Sequence, residues 1–394
     1  MIFETHFISE LIDEISMGPF GSNIKVECFV DEGIPVLNGS NLEGYELKED
    51  SFRYVTEEKA DSLNKANAYR GDVVITHRGT LGQIVFIPQT SKYDRYVISQ
   101  SQFRIRCNDK ILPEYMVYYF HTRIGQHKLL SNASQVGVPA LARPSTTFQK
   151  IDIEIPDITT QRRIVAVLQR IHDKIAVNTA INENLESQAQ AIFKSWFVDF
   201  EPFGGVMPED WKIGMIKDII ELHDSKRIPL SGSEREKMDK IYPYYGATSC
   251  MDYVDNYIFD GKYLLLGEDG TVIDKNGYPI LQYVEGKFWV NNHAHIITGK
   301  LGYTVEILYL LFKQTNVKHI VTGAVQPKIS QANLKKVPVT IPNIKDLDAF
   351  NNIIQPIFAM IRKNRNENEK LALLRDTLLP KLMNGEIDVS EVKT

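Results

Sequence analysis

Two stretches of this 394-residue chain, 186 positions apart, are built alike. Gly137 to Pro156 read GVPALARPSTTFQKIDIEIP, and Gly323 to Pro342 read GAVQPKISQANLKKVPVTIP. Each opens on turn residues, carries Lys150 or Lys336 in a polar stretch, and then alternates into a strand ending in Ile-Pro. The offset persists beyond them. Alternating steps of four and three residues from 164 land on Ile164, Leu168, Ile171, Ile175, Asn178, Asn182, Leu185, Ala189, Ile192 and Trp196. The same steps 186 residues later land on Phe350, Ile354, Ile357, Ile361, Asn364, Asn368, Leu371, Arg375, Leu378 and Leu382. This is the a/d seam of a coiled coil, sustained for nearly five heptads in each copy. Asn178 and Asn182 match Asn364 and Asn368, and a seam asparagine fixes register because only another polar group satisfies it. The spacing predicts two helices of about 37 residues, roughly 55 Å each, pairing antiparallel with each other rather than packing separately on their own domains.

A fainter repeat opens each half: His6–Ile12 resembles Trp211–Lys217, ahead of which DFEPFGGVMPEDW (Asp199 to Trp211) has the Pro/Gly content of a linker. Between these landmarks lie short alternating or apolar runs joined by Gly, Asn and Asp turns, a pattern of β-sheet with few helices. The first module carries SMGPFGSNIKV, GIPVLNGSNLEG and GDVVITHRGTLGQIVFIP; the second carries YPYYGATSCMDYV, GKYLLLGEDGTVI and GKFWVNNHAHIIT. The predicted architecture is α+β, a tandem repeat of a β-rich module and a long helix, with boundaries at 1–155, 156–200, 201–343 and 344–394. The length accommodates such domains, and no apolar run reaches the length of a membrane span. Three widely spaced cysteines, Cys28, Cys107 and Cys250, form no disulfide framework. With no basic-then-apolar leader in MIFETHFISE, a cytoplasmic location is expected.

Charge is distributed unevenly around a net of −5. Residues 1–59 hold 4 Lys/Arg against 13 Asp/Glu, whereas 60–150 hold 12 against 5. The second half repeats the polarity, with 11 against 16 over 201–300 and 5 against 1 over 301–343. A basic stretch in each module is suited to a phosphate-facing surface.

Motifs for chemistry are missing. GPFGS is neither a dinucleotide loop nor a Walker loop. Asp269 to Gly277 superficially resembles a calcium loop, but its acidic spacing is wrong, and it reads as a turn. His293 and His295 share a strand face without the further ligands a metal needs, so hydrogen bonding or packing is expected and no metal site. No nucleophile elbow is present, and no cysteine has a convincing histidine partner. The chain reads as a binder.

In this order and duplicated, MGPFGSNIK, GDVVITHRGTLG, YYGATS, IPDITTQRRIVAVL, IFKSWFVDFEPF and LLRDTLLPKLMNGEI resemble the specificity subunits of type I restriction–modification systems. The resemblance implies two target-recognition domains and two long spacer helices packed antiparallel, with a bipartite DNA target read one half-site per domain. It also implies partners: two modification subunits that bind S-adenosylmethionine and methylate adenine, and motor–nuclease subunits that use ATP and Mg. The chain itself is expected to hold no cofactor and to catalyse nothing, working near the nucleoid of a bacterium or archaeon. The alternative is a scaffold or silent specificity cassette that assembles enzymes without reading DNA. Arg375 standing where the first copy has Ala189 implies unequal docking surfaces.

Base reading needs donors and acceptors on loops. Candidates are Asn38, Asn41, Arg78, Thr80, Gln100 and Gln102 in the first module. In the second they are Tyr245, Thr248, Glu268, Asn291, Asn292 and His293. Lys25, Arg143, Lys328 and Ser330 are expected at phosphates.

Overall fold

The structure, a computed structural model, describes residues 2–19, 21–131, 133–134, 138–323 and 325–393. Of the segments quoted above, Met1, Phe20, Gly137 and Ala324 lie outside the described residues. The chain forms two compact units, Met1–Ala176 with Asn368–Thr394, and Val177–Glu367.

In the first unit, one antiparallel sheet runs in the order Ile12–Met17, Gln102–Cys107, Val73–Thr76, Ile84–Phe86. A second, mixed sheet runs Arg53–Val55, Ile34–Val36, Arg95–Val97, Asn67–Tyr69, the middle two strands parallel. Val73–Thr76 and Ile84–Phe86 are buried on both faces, which explains why they read as continuous apolar runs. The helix Pro113–His121 carries Tyr115, Met116, Tyr118 and Phe120 into the core.

The second unit has a six-stranded sheet in the order Ile220–Leu222, Ala294–Gly299, Phe259–Gly267, Leu281–Val290, Tyr242–Tyr245, Cys250–Val254. The helix Val305–Gln314 packs against it, burying Ile307, Leu308, Leu310 and Phe312.

The two sequence repeats prove to be each other's partners. In the first unit the opening strand Phe3–Phe7 pairs antiparallel with the Ile-Pro strand Asp152–Pro156, His6 facing Ile153. In the second, Lys212–Met215 pairs with Pro338–Ile341, Ile213 facing Thr340. Each module is thus clasped by its own first and last strands, and each clasp leads straight into a long helix. Asp157 starts the first, accepting from the Thr159 and Thr160 amides at 2.9 and 3.1 Å; Asn343 starts the second, accepting from the Asp346 amide at 2.8 Å.

Those helices run Ile158–Phe197 and Ile344–Met383, 40 residues each. They pair antiparallel within each unit. In the second unit Asn364 donates to Asn182 Oδ1 at 2.9 Å, Asn182 to the Ile361 carbonyl at 3.3 Å, and Asn178 to Glu367 Oε2 at 2.9 Å. In the first, Asn368 donates to the Ile175 carbonyl at 3.3 Å. Each seam asparagine therefore has a polar partner, so the cost of burying it is met while register is kept.

The helices belong to the module cores rather than lying on them. Ile164, Leu168, Leu379 and Leu382 join Tyr115 and Phe120 in one core; Ala189, Phe193, Phe350 and Phe358 join Leu308 and Phe312 in another. Burying each such side chain contributes about 1.5–3 kcal/mol. Arg375, the position that departs from Ala189, places its guanidinium 5.3 Å from the centre of the Tyr45 ring and bonds Asp376 at 2.8 Å. The odd seam residue is accommodated by an aromatic face of the first module, whereas Ala189 is sealed in the second unit's core.

Candidate nucleic-acid interface

One loop in each module is held in the same way. In the first unit the chain leaves the strand Val73–Thr76, and His77 donates its amide to the Ser101 carbonyl at 2.8 Å. Arg78 bridges Ala140, the Gly79 amide reaches the Pro139 carbonyl at 2.9 Å, and the Leu141 amide returns to the His77 carbonyl at 2.9 Å. In the second unit the chain leaves Phe259–Gly267, and the Glu268 amide bonds the His293 carbonyl at 2.8 Å. Asp269 bridges Lys328, Gly270 reaches the Pro327 carbonyl at 3.0 Å, and Ile329 returns to the Glu268 carbonyl at 2.9 Å. The sequences align as Arg78-Gly79-Thr80 with Asp269-Gly270-Thr271. Gly79 and Gly270 have φ of 89° and 81°, left-handed values that favour glycine over any residue with a Cβ. Nothing lies within 4 Å of either missing Cβ, so the requirement is conformational.

In the first module this loop borders an open cleft of about 580 Å³ lined by Met17, Asn23, Lys65, His77, Arg78 and Gln100. Gly18 packs so closely that a Cβ there would stand 1.9 Å from the Ser99 carbonyl oxygen. Burial pushes the His77 ring below its ordinary value, outweighing the help of the Gln100 carbonyl, so the ring is neutral at pH 7. Its Nε2, 3.1 Å from that carbonyl, donates. Arg78 and Thr80 are exposed, and Arg78 has no ion pair among the described residues.

The structure redistributes the other candidates. Asn41 is fully buried; it accepts from the Asn38 amide at 2.9 Å and donates to the Lys48 and Asp50 carbonyls at 2.9 and 2.7 Å. Asn38 caps the following turn through the Ser40 amide at 2.8 Å. Gln102, also fully buried, accepts from the Ser99 amide at 2.8 Å and donates to the Asn38 carbonyl at 3.3 Å. In the second module Asn291 is buried and accepts from the His293 amide at 2.8 Å, while Ser330 caps a helical turn through the Asn333 amide at 3.2 Å. Asn41, Gln102 and Asn291 are thus buried in their own loops, and in all five the named polar groups already have backbone partners. Lys25 forms a surface pair with Glu27 at 3.5 Å, and Tyr245 sits edge-on to Phe288, 5.8 Å between ring centres. Gln100, Arg143, Thr248 and Asn292 are exposed on loops. Arg143, at φ 48°, shares a second recess with His127, Lys150 and Thr147. Part of the basic stretch turns inward: Arg104 and Arg106 both bond Asp72, at 3.3 and 3.0 Å.

Glu268 pairs with Arg227 at 2.7 Å and Lys328 at 3.2 Å within a network that includes Asp224 and His295. Lys328 is therefore paired, with its side chain half exposed. His295 Nδ1 lies 2.6 Å from Asp224 Oδ2 and its Nε2 2.7 Å from the Ile329 carbonyl. Burial alone would push the Asp224 carboxyl up, but His295, the Ile296 amide and Arg227 outweigh it and hold it below the ordinary value. Glu268 is held low by Arg227, His295 and Lys328 against the same burial effect. Asp224, Glu268 and His295 gather three possible metal donors, the carboxylates being the further ligands the sequence did not show beside His295, and Arg227 and Lys328 already sit on those carboxylates. The cluster is an ion network.

Sequence reading passed over Asp269 and Thr271 as part of a turn. The signal was the shared Gly-Thr at offset 191, five residues away from the 186 of the main repeat. Asp269 Oδ1 lies 2.5 Å from His293 Nδ1, and the His293 side chain is 44% exposed.

Two β-rich modules, each holding one clamped loop and each built into paired long helices, define a tandem-repeat protein. The family model for the type I restriction modification DNA specificity domain matches twice, over residues 24–187 and 208–374. The chain belongs to that family: it is a type I restriction–modification specificity subunit with tandem target-recognition domains. It is similar to the MjaIX specificity subunit of Methanocaldococcus jannaschii, 25% identical over 410 residues, covering 97% of this chain and 93% of that one. It is also similar to the HindI specificity subunit of Haemophilus influenzae, 24% identical over 409 residues, covering 81% and 87%. Among solved structures the S subunit from M. genitalium superposes with a TM-score of 0.58 at 15% identity, covering 97% of this chain and 96% of that one, a likeness of fold. No helix among the described residues is long and apolar enough to cross a membrane.

Proposed function

We propose that this chain reads a bipartite duplex target, one half-site per module, and docks adenine methyltransferase subunits on its helices, with motor–nuclease subunits joining through them. The observation that carries this reading is the repeated loop clamp with unlike side chains at its tip. Common backbone contacts place the loops, and the differing residues give each module its own donor and acceptor pattern. Two weak half-site contacts on one chain add through effective concentration. Apolar side chains left outward on the helices support docking: Leu373 is 70% exposed and Val177 52%. In this proposal the chain is non-catalytic and holds no cofactor; S-adenosylmethionine, ATP and Mg belong to the partners.

The experiment is DNA binding by the chain assembled with its methyltransferase, across a salt series. Arg143→Ala is expected to weaken binding to all duplexes alike and to lower the salt slope by about 1, as loss of one phosphate contact does. Charge reversal of Arg143 together with Arg78 is expected to weaken binding further while assembly persists. Unchanged binding by the double reversal, with assembly intact, would favour the scaffold reading.

A further inference from the structure

The two loop tips are equivalent in backbone and opposite in hydrogen-bonding sense. Arg78 presents a guanidinium, which only donates. At the same position Asp269 presents a carboxylate, which only accepts, with one oxygen held by His293 Nδ1 at 2.5 Å. With that oxygen occupied, the other carboxylate oxygen of Asp269 remains as an acceptor. The first tip thus offers donors and the second acceptors. Thr80 and Thr271, alike and exposed in both, suit a shared positioning contact rather than discrimination.

Resting on the proposed DNA reading, we infer that Arg78 and Asp269 are matched specificity determinants, Arg78 selecting guanine in one half-site and Asp269 cytosine in the other. In the major groove guanine shows two adjacent acceptors, O6 and N7, which a guanidinium meets with two N–H groups. A carboxylate at that edge is repelled. Cytosine shows its N4 amino donor alone, which a carboxylate accepts. Adenine also has an amino donor, but its N7 acceptor lies beside it and opposes the second carboxylate oxygen. Both residues sit at positions the backbone fixes by three hydrogen bonds per loop, so the side chain varies while its placement does not.

The test is single-molecule sequencing of N6-methyladenine in host DNA, with the chain and its methyltransferase expressed as wild type, Arg78→Ala, Arg78→Lys and Asp269→Asn. Arg78→Ala is expected to reduce the preference for guanine at one position of one half-site roughly 5- to 100-fold, leaving the other half-site intact. Arg78→Lys keeps the charge and loses the fork, so the same position relaxes with overall methylation retained. Asp269→Asn, nearly isosteric, is expected to move one position of the opposite half-site from cytosine toward adenine, whose N6 and N7 an amide meets together. If Arg78→Ala or Arg78→Lys lowered methylation at every site equally without relaxing any position, Arg78 would be a phosphate contact and the inference wrong. An unchanged motif with Asp269→Asn would overturn the second assignment. A wild-type chain that directs methylation to no split motif defeats the DNA-reading proposal itself, a result distinct from either.

Discussion

Replacing His295 by leucine is expected to lower the unfolding free energy of the second unit by about 3–5 kcal/mol, because a buried carboxylate and a buried carbonyl each lose a hydrogen-bond partner, at about 1–3 kcal/mol per group and more for a charged one. The histidine is fully buried, and the side chain of Asp224 is 4% exposed. Without the ring, Asp224 keeps the Ile296 amide and Gln331 at 2.9 and 2.6 Å, and Arg227 at 3.6 Å, but loses its 2.6 Å hydrogen bond to His295. The Ile329 carbonyl is orphaned as well. Urea unfolding followed by tryptophan emission isolates the effect, because Trp196, Trp211 and Trp289 all lie in Val177–Glu367. A pH series adds a second check. Asp224 and Glu268 are held below their ordinary values, so their stabilising contribution is complete above about pH 4, the unfolded carboxylate range. It is lost as pH falls through their lower folded values. The variant is expected to flatten that acid limb; a loss under about 1 kcal/mol with an unchanged limb would show the network to be unimportant.

Arg104→Leu is the matching expectation for the first unit. The Arg104 side chain is 4% exposed and joins Asp72, 1% exposed, to Glu14, with nitrogen–oxygen distances of 3.3 and 2.8 Å. Its removal leaves Asp72 with Arg106 at 3.0 Å and the Tyr69 amide at 3.0 Å. The expected loss is therefore about 3 kcal/mol, the low end of the same range. No tryptophan lies in this unit, so amide exchange along Gln102–Cys107 is the readout. Protection there is expected to fall toward that of the surrounding loops; protection equal to wild type would contradict the argument.

The parts of the fold legible in sequence are those whose periodicity is forced by burial. Ile164 to Trp196 and Phe350 to Leu382 had to repeat at 3.5 residues because both helices bury one seam, and Asn182 and Asn364 meet across it. The Ile-Pro strands and the opening strands were visible as separate repeats, but their pairing with each other is a long-range contact that no local pattern carries. The site was less legible for the same reason. Asn41 and Arg78 are both polar loop residues in sequence; only the fold shows that one closes its own loop and the other stands free. Glu268 looked available because its partner Arg227 is 41 positions away. Asp269 was hidden by an insertion that breaks the main offset, and Arg375 looked like a damaged seam until the Tyr45 ring came beside it.

The most direct test of the account is a methylome of the host with this gene intact and with it deleted, in cells expressing the chain and its methyltransferase. N6-methyladenine at one split motif with unlike half-sites is expected to vanish on deletion. Methylation unchanged at every motif would contradict the claim that this chain chooses the DNA its partners modify.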